Sequence, residues 1–299
     1  MKKLSRIIIL TSSLFTISAH ASLNVFTCEP EWASLATEIG GDKVKTNSAT
    51  SGQQDPHHIE ARPSLIAKIR NADLLVCTGL ELETGWLPVL LQQSGNNAIQ
   101  PGQPANFVAG DFVVKLDIPT QLDRADGDVH PGGNPHIQLD PHNIVLVAKA
   151  LSERMAQLDA SNAALYKTRY EDFAKRWQVA TQKWEQQAQP LRGVNVITHH
   201  KDMEYLLHWL GMNGVGNLEP KPGVEPSSAH LADLLTQLQQ KPAKMILRTP
   251  YQGERASEWL AEKAKIPAVM IPNTVGGSDE SKDLFSLYDD ILKRMLGAK

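Results

Sequence analysis

Residues 159–189 read DASNAALYKTRYEDFAKRWQVATQKWEQQAQ, and how this stretch is read decides the fold. Within it Tyr166, Tyr170, Phe173, Trp177 and Trp184 recur at spacings of three, four or seven, which places them on one face of a helix. Such a stripe is a packing face rather than an aromatic ligand cage. The helical pattern starts earlier, at Pro141, and Asp159-Ala160-Ser161-Asn162 is its break, with a Ser or Asp cap restarting the second segment. That second segment has roughly 28 residues at 1.5 Å each, about 42 Å, enough to span a two-lobe protein. It reads as a backbone helix joining two lobes.

On both sides of the helix the sequence alternates strand and helix signals. Upstream, Leu23–Cys28, Lys43–Thr50 and Asp73–Thr78 read as strands, with helices over Glu31–Gly40, Ser64–Asn71 and from about Glu83 to Ser94, and Phe112-Val113-Val114 reads as a further strand. Downstream, Val194–Thr198, Lys244–Leu247 and Val269-Met270-Ile271 read as strands among helices over Asp202–Leu210, Ser228–Gln239, Arg255–Ala264 and from about Lys282 to Leu296. Repeated βα units predict parallel sheets covered by helices. The expected fold is therefore α/β: two lobes joined by a long rigid helix, with residues 22–141 in the first lobe, 142–190 in the helical segment and 191–299 in the second lobe.

Residues 1–21 read as an export signal. Lys2, Lys3 and Arg6 precede the apolar run Ile7–Ile17, and Ala19-His20-Ala21 is a small-x-small cleavage site. No Cys follows the run at the usual lipoprotein position, so a soluble mature chain starting near Ser22, in the periplasm, is expected. Formal net charge is −3 with charges of both signs interspersed, which lacks the clustered basic footprint of a nucleic-acid binder. Cys28 and Cys77 end predicted strands. In an oxidising compartment they would form a single bridge, the alternative being two buried thiols on neighbouring strands.

Three segments each bring histidine to a strand end or helix start: Asp55-Pro56-His57-His58, Asn134-Pro135-His136 and Thr198-His199-His200. They lie far apart in sequence, so only the fold could gather them. Three neutral imidazoles with an open fourth position suit Zn²⁺, whereas Mn²⁺ suits carboxylate-rich oxygen sites. At the first and third segments the residues alone leave two histidines open.

In order, the marks Asp55-Pro56-His57-x-x-Glu60-x-x-Pro63-Ser64, Asn134-Pro135-His136-x-x-Leu139-Asp140-Pro141 and His200 five residues before Tyr205-Leu206 give a pattern covering essentially the whole mature chain. It resembles the metal-specific solute-binding proteins of bacterial ABC importers, the cluster carrying zinc or manganese, and most of all its periplasmic zinc-binding branch. The resemblance implies a site in the interlobe cleft, with His57 and His136 from the first lobe and His200 from the second. It also implies Zn²⁺ as cargo and delivery to an ABC permease at the inner membrane, by a monomer that is not an enzyme. Relatives place an Asp near the position of Asn273. Here Asp279 could reach in as a fourth ligand or cap the last helix, and His130 is the one other histidine placed to help. Glu60 is expected to be a hydrogen-bonding partner of a ligand. A manganese or iron carrier is the nearest alternative, and a secreted zinc hydrolase the rival of another class, though no His-Glu-x-x-His helix or Gly-x-Ser-x-Gly elbow is present.

Overall fold

The computed structural model describes residues 22–121, 127 and 129–298. The expected export signal and most of the acidic stretch 123–128 lie outside the described residues. The chain forms two four-stranded, all-parallel sheets. In the first, β1 (Leu23–Thr27), β2 (Val44–Ser48), β3 (Leu74–Cys77) and β4 (Asn106–Val108) lie in the order β2-β1-β3-β4. The second repeats that order with β5 (Asn195–Thr198), β6 (Asn213–Asn217), β7 (Met245–Arg248) and β8 (Ala268–Met270), arranged β6-β5-β7-β8. Helices cover both sheets: α1 (Pro30–Gly40), α2 (Pro63–Arg70) and α3 (Leu87–Ser94) in the first lobe, α6 (Glu204–Leu210), α7 (Ser228–Gln240), α8 (Glu254–Ala264) and α9 (Leu284–Gly297) in the second. Parallel strands buried on both faces are apolar throughout, as in fully buried Leu74–Cys77.

Between the lobes run α4 (Pro141–Leu158) and α5 (Ala163–Gln187). The break falls where the sequence placed it, but no side chain caps the start of α5. Asp159 instead accepts the Tyr166 hydroxyl at 2.6 Å. Tyr166, Phe173, Trp177 and Trp184 are all buried, and their face meets α9 through ring contacts of Trp177 with Phe285 and of Trp184 with Tyr288, each 4.9 Å between centroids. One hydrophobic core consequently runs without interruption from Leu23 and Trp32 in the first lobe through the α5 stripe to Tyr288 and Met295 in the second.

Two strand readings are corrected. Phe112-Val113-Val114 is no strand: Ala109–Phe112 is a 3₁₀ turn, Val114 is largely exposed, and β4 lies earlier, where Phe107 is buried beside β3. β6 was missed because Asn-Gly-Val-Gly-Asn has almost no strand propensity. Its glycines fit an edge strand closely overlain by side chains: a Cβ on Gly216 would lie 2.9 Å from Leu234 and 3.1 Å from Ile197. The helix expected from Glu83 begins only at Leu87, because Leu80 and Glu81 hold positive φ and the Glu83 carboxylate accepts the N–H groups of Thr78 and Gly79.

The disulfide is present. Cys28 and Cys77 join the ends of neighbouring β1 and β3, with Cα atoms 4.8 Å apart. In each sheet the strand order reverses at the first strand, β1 or β5. Crevices beyond the carboxyl ends of such strands are where open α/β sheets bind ligands.

Candidate metal centre

His57 and His136 sit on the same local device. In Asp55-Pro56-His57 the Asp55 Oδ1 accepts the backbone N–H of His57 at 3.0 Å, and in Asn134-Pro135-His136 the Asn134 Oδ1 accepts that of His136 at 3.0 Å. Each is an Asx turn whose middle residue is a proline with fixed φ, so the imidazole is presented from a rigid corner. The first corner is braced further by Trp86, which donates its indole N–H to the Pro56 carbonyl at 2.8 Å. The second is tied to the opposite lobe, where the Asn134 amide donates to the Lys201 carbonyl at 2.7 Å. Asp140-Pro141-His142 forms the same turn, yet it opens α4 and leaves His142 exposed between Asp140 and Glu185. The turn alone therefore does not select a site residue; the fold does.

His200 comes from the reversal point of the second sheet, two residues beyond β5. The backbone there is held by His199 N–H on the Leu247 carbonyl (2.9 Å) and Glu219 N–H on the His199 carbonyl (3.0 Å).

The structure brings together His57, His136 and His200. One ring nitrogen of each lies within 4.8 Å of the others. Ring centroids are 5.5 Å apart for His57 and His136, 5.7 Å for His57 and His200, and 6.2 Å for His136 and His200. His136 and His200 are buried and His57 is partly so. Carboxylates fix which nitrogen faces the centre: His57 Nδ1 pairs with Asp55 Oδ1 at 2.7 Å, and His200 Nδ1 with Glu219 Oε2 at 2.6 Å. Both rings therefore turn Nε2 inward. His136 Nε2 is buried with no hydrogen-bond partner among the described residues. Three convergent imidazole nitrogens, two of them backed by carboxylates, form a donor set suited to a borderline cation such as Zn²⁺.

The electrostatics of the three rings differ. Burial, then the neighbouring histidines, hold His136 well below the usual histidine range, so it stands neutral and ready to donate. At His200 burial works the same way, but the Glu219 carboxylate with Asp202 and Asp55 outweighs it and raises the ring above its ordinary value. Asp55 is lowered, since the His57 contacts exceed the opposing effect of burial.

Several expected partners stand elsewhere. Among the described residues no carboxylate joins the three histidines. Asp279 is exposed, because its loop is closed on itself by the Gly276 N–H on the Ser281 carbonyl and by Ser278 on Asp290; Asp283, not Asp279, caps α9. Asn273 is buried, and its Oδ1 has no hydrogen-bond partner among the described residues. Glu60 is exposed, so the carboxylates that orient the rings are Asp55 and Glu219. Glu219 carried no signal of its own, being an ordinary Glu in a Pro-rich loop, while Asp55 stood within the motif without its role being legible. His58 and His208 are exposed, and His199 is buried outside the group. His130 is near, its Nε2 3.2 Å from His57 Nε2. A second cluster of possible donors, Cys28, Cys77 and Glu83, is closed by the disulfide.

Above the histidines lies an open cavity of about 590 Å³ lined by His130, His136 and His200 together with Ile118, Lys201 and Lys221.

Known proteins share this architecture. A structure described as the crystal structure of ZnuA superposes with a TM-score of 0.75 at 22% identity, covering 91% of this chain and 99% of that one. A manganese-bound mutant of a periplasmic metal binding protein from candidatus liberibacter asiaticus gives 0.75 at 16% identity, covering 92% and 99%. At these identities the likeness is one of fold. Among relatives by sequence, the manganese ABC transporter substrate-binding lipoprotein PsaA of Streptococcus anginosus is 22% identical over 303 residues, 96% of this chain and 95% of that protein. The family model described as ZnuA, zinc-uptake complex component A, periplasmic, matches residues 25–298. The chain therefore belongs to the ZnuA family.

Proposed function

We propose that this protein captures Zn²⁺ outside the cytoplasm through His57, His136 and His200 and delivers it to an ABC-type permease of the inner membrane. Membership of the family makes it a metal-binding, substrate-binding component of an ABC importer, a solute carrier and not an enzyme. Its relatives are named as substrate-binding lipoproteins of ABC transporters, which supports an extracytoplasmic location, and the periplasm is our reading of it. Zinc is the finer step, and one observation carries it: among the described residues the donors that converge in the cleft are imidazole nitrogens with no carboxylate among them. Neutral nitrogen donors favour Zn²⁺ over Mn²⁺, whose preferred sites are rich in oxygen. The second reading, a manganese carrier, is favoured by relatives named for manganese, among them PsaA of Streptococcus pneumoniae at 23% identity. The ion is cargo, so the site must also release it, which suits a cleft open to solvent on one side. The carrier works as a monomer in this reading, with the boundaries of the two lobes at residues 22–141 and 191–299.

The test is metal analysis with competitive zinc and manganese titration of the mature chain and of His57→Ala, His136→Ala and His200→Ala. One tightly held zinc per chain is expected, lost or greatly weakened in each variant. Tighter binding of manganese than of zinc would establish the second reading, and three variants with undiminished zinc content would refute the site.

A further inference from the structure

We propose that His130 is the fourth metal ligand, so that the loaded site is an all-imidazole tetrahedron rather than three histidines and a water. The inference rests on the zinc reading and deepens it. Its basis is a length: His130 Nε2 stands 3.2 Å from His57 Nε2. With Zn–N bonds of about 2.0–2.1 Å, two ligands of a regular tetrahedron are separated by about 3.3–3.4 Å. The two rings, hydrogen-bonded to each other without metal, thus stand at a separation that an edge of a zinc polyhedron could keep, and their centroids, 5.2 Å apart, are closer than those of any pair among the other three histidines.

Position agrees with spacing. His130 lines the same open cavity as His136 and His200, so a donor at His130 reaches the centre from its solvent side. The chain just after it is anchored. Gly133 N–H donates to the His130 carbonyl, Gly132 N–H to Glu81 Oε2 at 3.0 Å, and Asn134 N–H to the Leu116 carbonyl at 2.8 Å. Anchored there, His130 already meets His57 but stands outside the set of nitrogens that lie within 4.8 Å of one another, so its ring must move inward as the ion is taken up. The fourth donors expected from the sequence are placed less well: Asp279 is exposed, and Asn273 offers a neutral amide oxygen, a poor zinc donor. Four neutral nitrogens would sharpen discrimination against manganese and leave no coordinated water to ionise.

The experiment uses the mature chain loaded with Zn²⁺ or with Co²⁺, whose visible spectrum reports its ligands, beside His130→Ala and a His58→Ala control. The wild-type and His58→Ala cobalt spectra are expected to hold constant from pH 7 to pH 9. In His130→Ala a water takes the vacated position, and metal-bound water ionises near pH 7, so the spectrum should titrate. His130→Ala should still bind one zinc, at least about tenfold more weakly, the least that disturbing a ligand's surroundings costs. A wild-type cobalt spectrum that already titrates, or zinc affinity unchanged in His130→Ala, would overturn the assignment of His130 alone. Absence of stoichiometric zinc in the wild type would overturn the zinc reading with it.

Discussion

At His200 two effects oppose each other: burial disfavours the imidazolium, while Glu219 at 2.6 Å favours it and prevails. A metal ion takes the Nε2 lone pair that a proton would otherwise hold, so the raised value sets where protons begin to compete. Above it the zinc affinity should be flat. Below it affinity should fall roughly tenfold per pH unit for this one group, beginning above the ordinary histidine value of about 6.5. Glu219→Gln removes the charge that raises the ring, so the onset of the fall should move to lower pH, while affinity on the plateau drops about 10- to 100-fold through loss of the carboxylate behind the ligand. Zinc competition titrations between pH 5.5 and 8.5 measure both, and an onset that stays put in Glu219→Gln would show that Glu219 does not govern His200. At this scale the sequence disclosed the three converging histidines better than their supports. Asp55-Pro56-His57 and Asn134-Pro135-His136 stand out as motifs, although Asp140-Pro141-His142 makes the same turn outside the group, whereas Glu219 acts across a loop joined to His200 only in three dimensions.

Helix α5 carries the fold at the level of elements, and Trp177 is its centre. The ring stacks on Phe173 at 5.2 Å, meets Trp184 at 5.1 Å and Phe285 at 4.9 Å, and donates its indole N–H to the Pro141 carbonyl at 2.8 Å. It thereby joins α4, α5 and α9. Trp177→Ala should cost about 3–5 kcal/mol, read as a lower urea midpoint, with zinc stoichiometry retained in the fraction that folds. Trp177→Phe keeps most of the ring and should lose far less. The stripe was legible because burial imposes a 3.6-residue period that survives any detail of packing. β6 and β4 were not legible for the converse reason. Asn213–Asn217 is a strand because β5 offers its hydrogen bonds and Leu234 covers the glycines, and Asn106–Val108 is one because β3 lies alongside. Phe112-Val113-Val114 has the better composition and no partner.

Over the whole molecule the question is how far the lobes move when the cleft fills. Besides the shared core along α5, polar contacts cross between the lobes. Gln53 donates to the Gly277 carbonyl at 2.9 Å, Gln138 to that of Asn273 at 3.1 Å, and Tyr288 to that of Gln138 at 2.5 Å, while the Thr274 hydroxyl donates to Glu31. At Gly52 the two backbones approach so closely that a Cβ would lie 2.3 Å from the Gly276 carbonyl carbon. A hinge would have to break these bonds, each worth about 0.5–1.5 kcal/mol net, and shear a continuous core that resists deformation because it is close-packed. Drawing three nitrogens now within 4.8 Å of one another onto one ion calls only for side-chain rotation and slight loop adjustment. X-ray scattering curves with and without zinc should therefore superpose, while amide exchange slows on loading only around residues 54–58, 129–136 and 199–202 and in the Glu219 loop. A marked fall in radius of gyration, or slowed exchange spread through α5, would mean that the bonds across Gln138 and Gly52 open in the empty protein and that capture proceeds by closing a hinge.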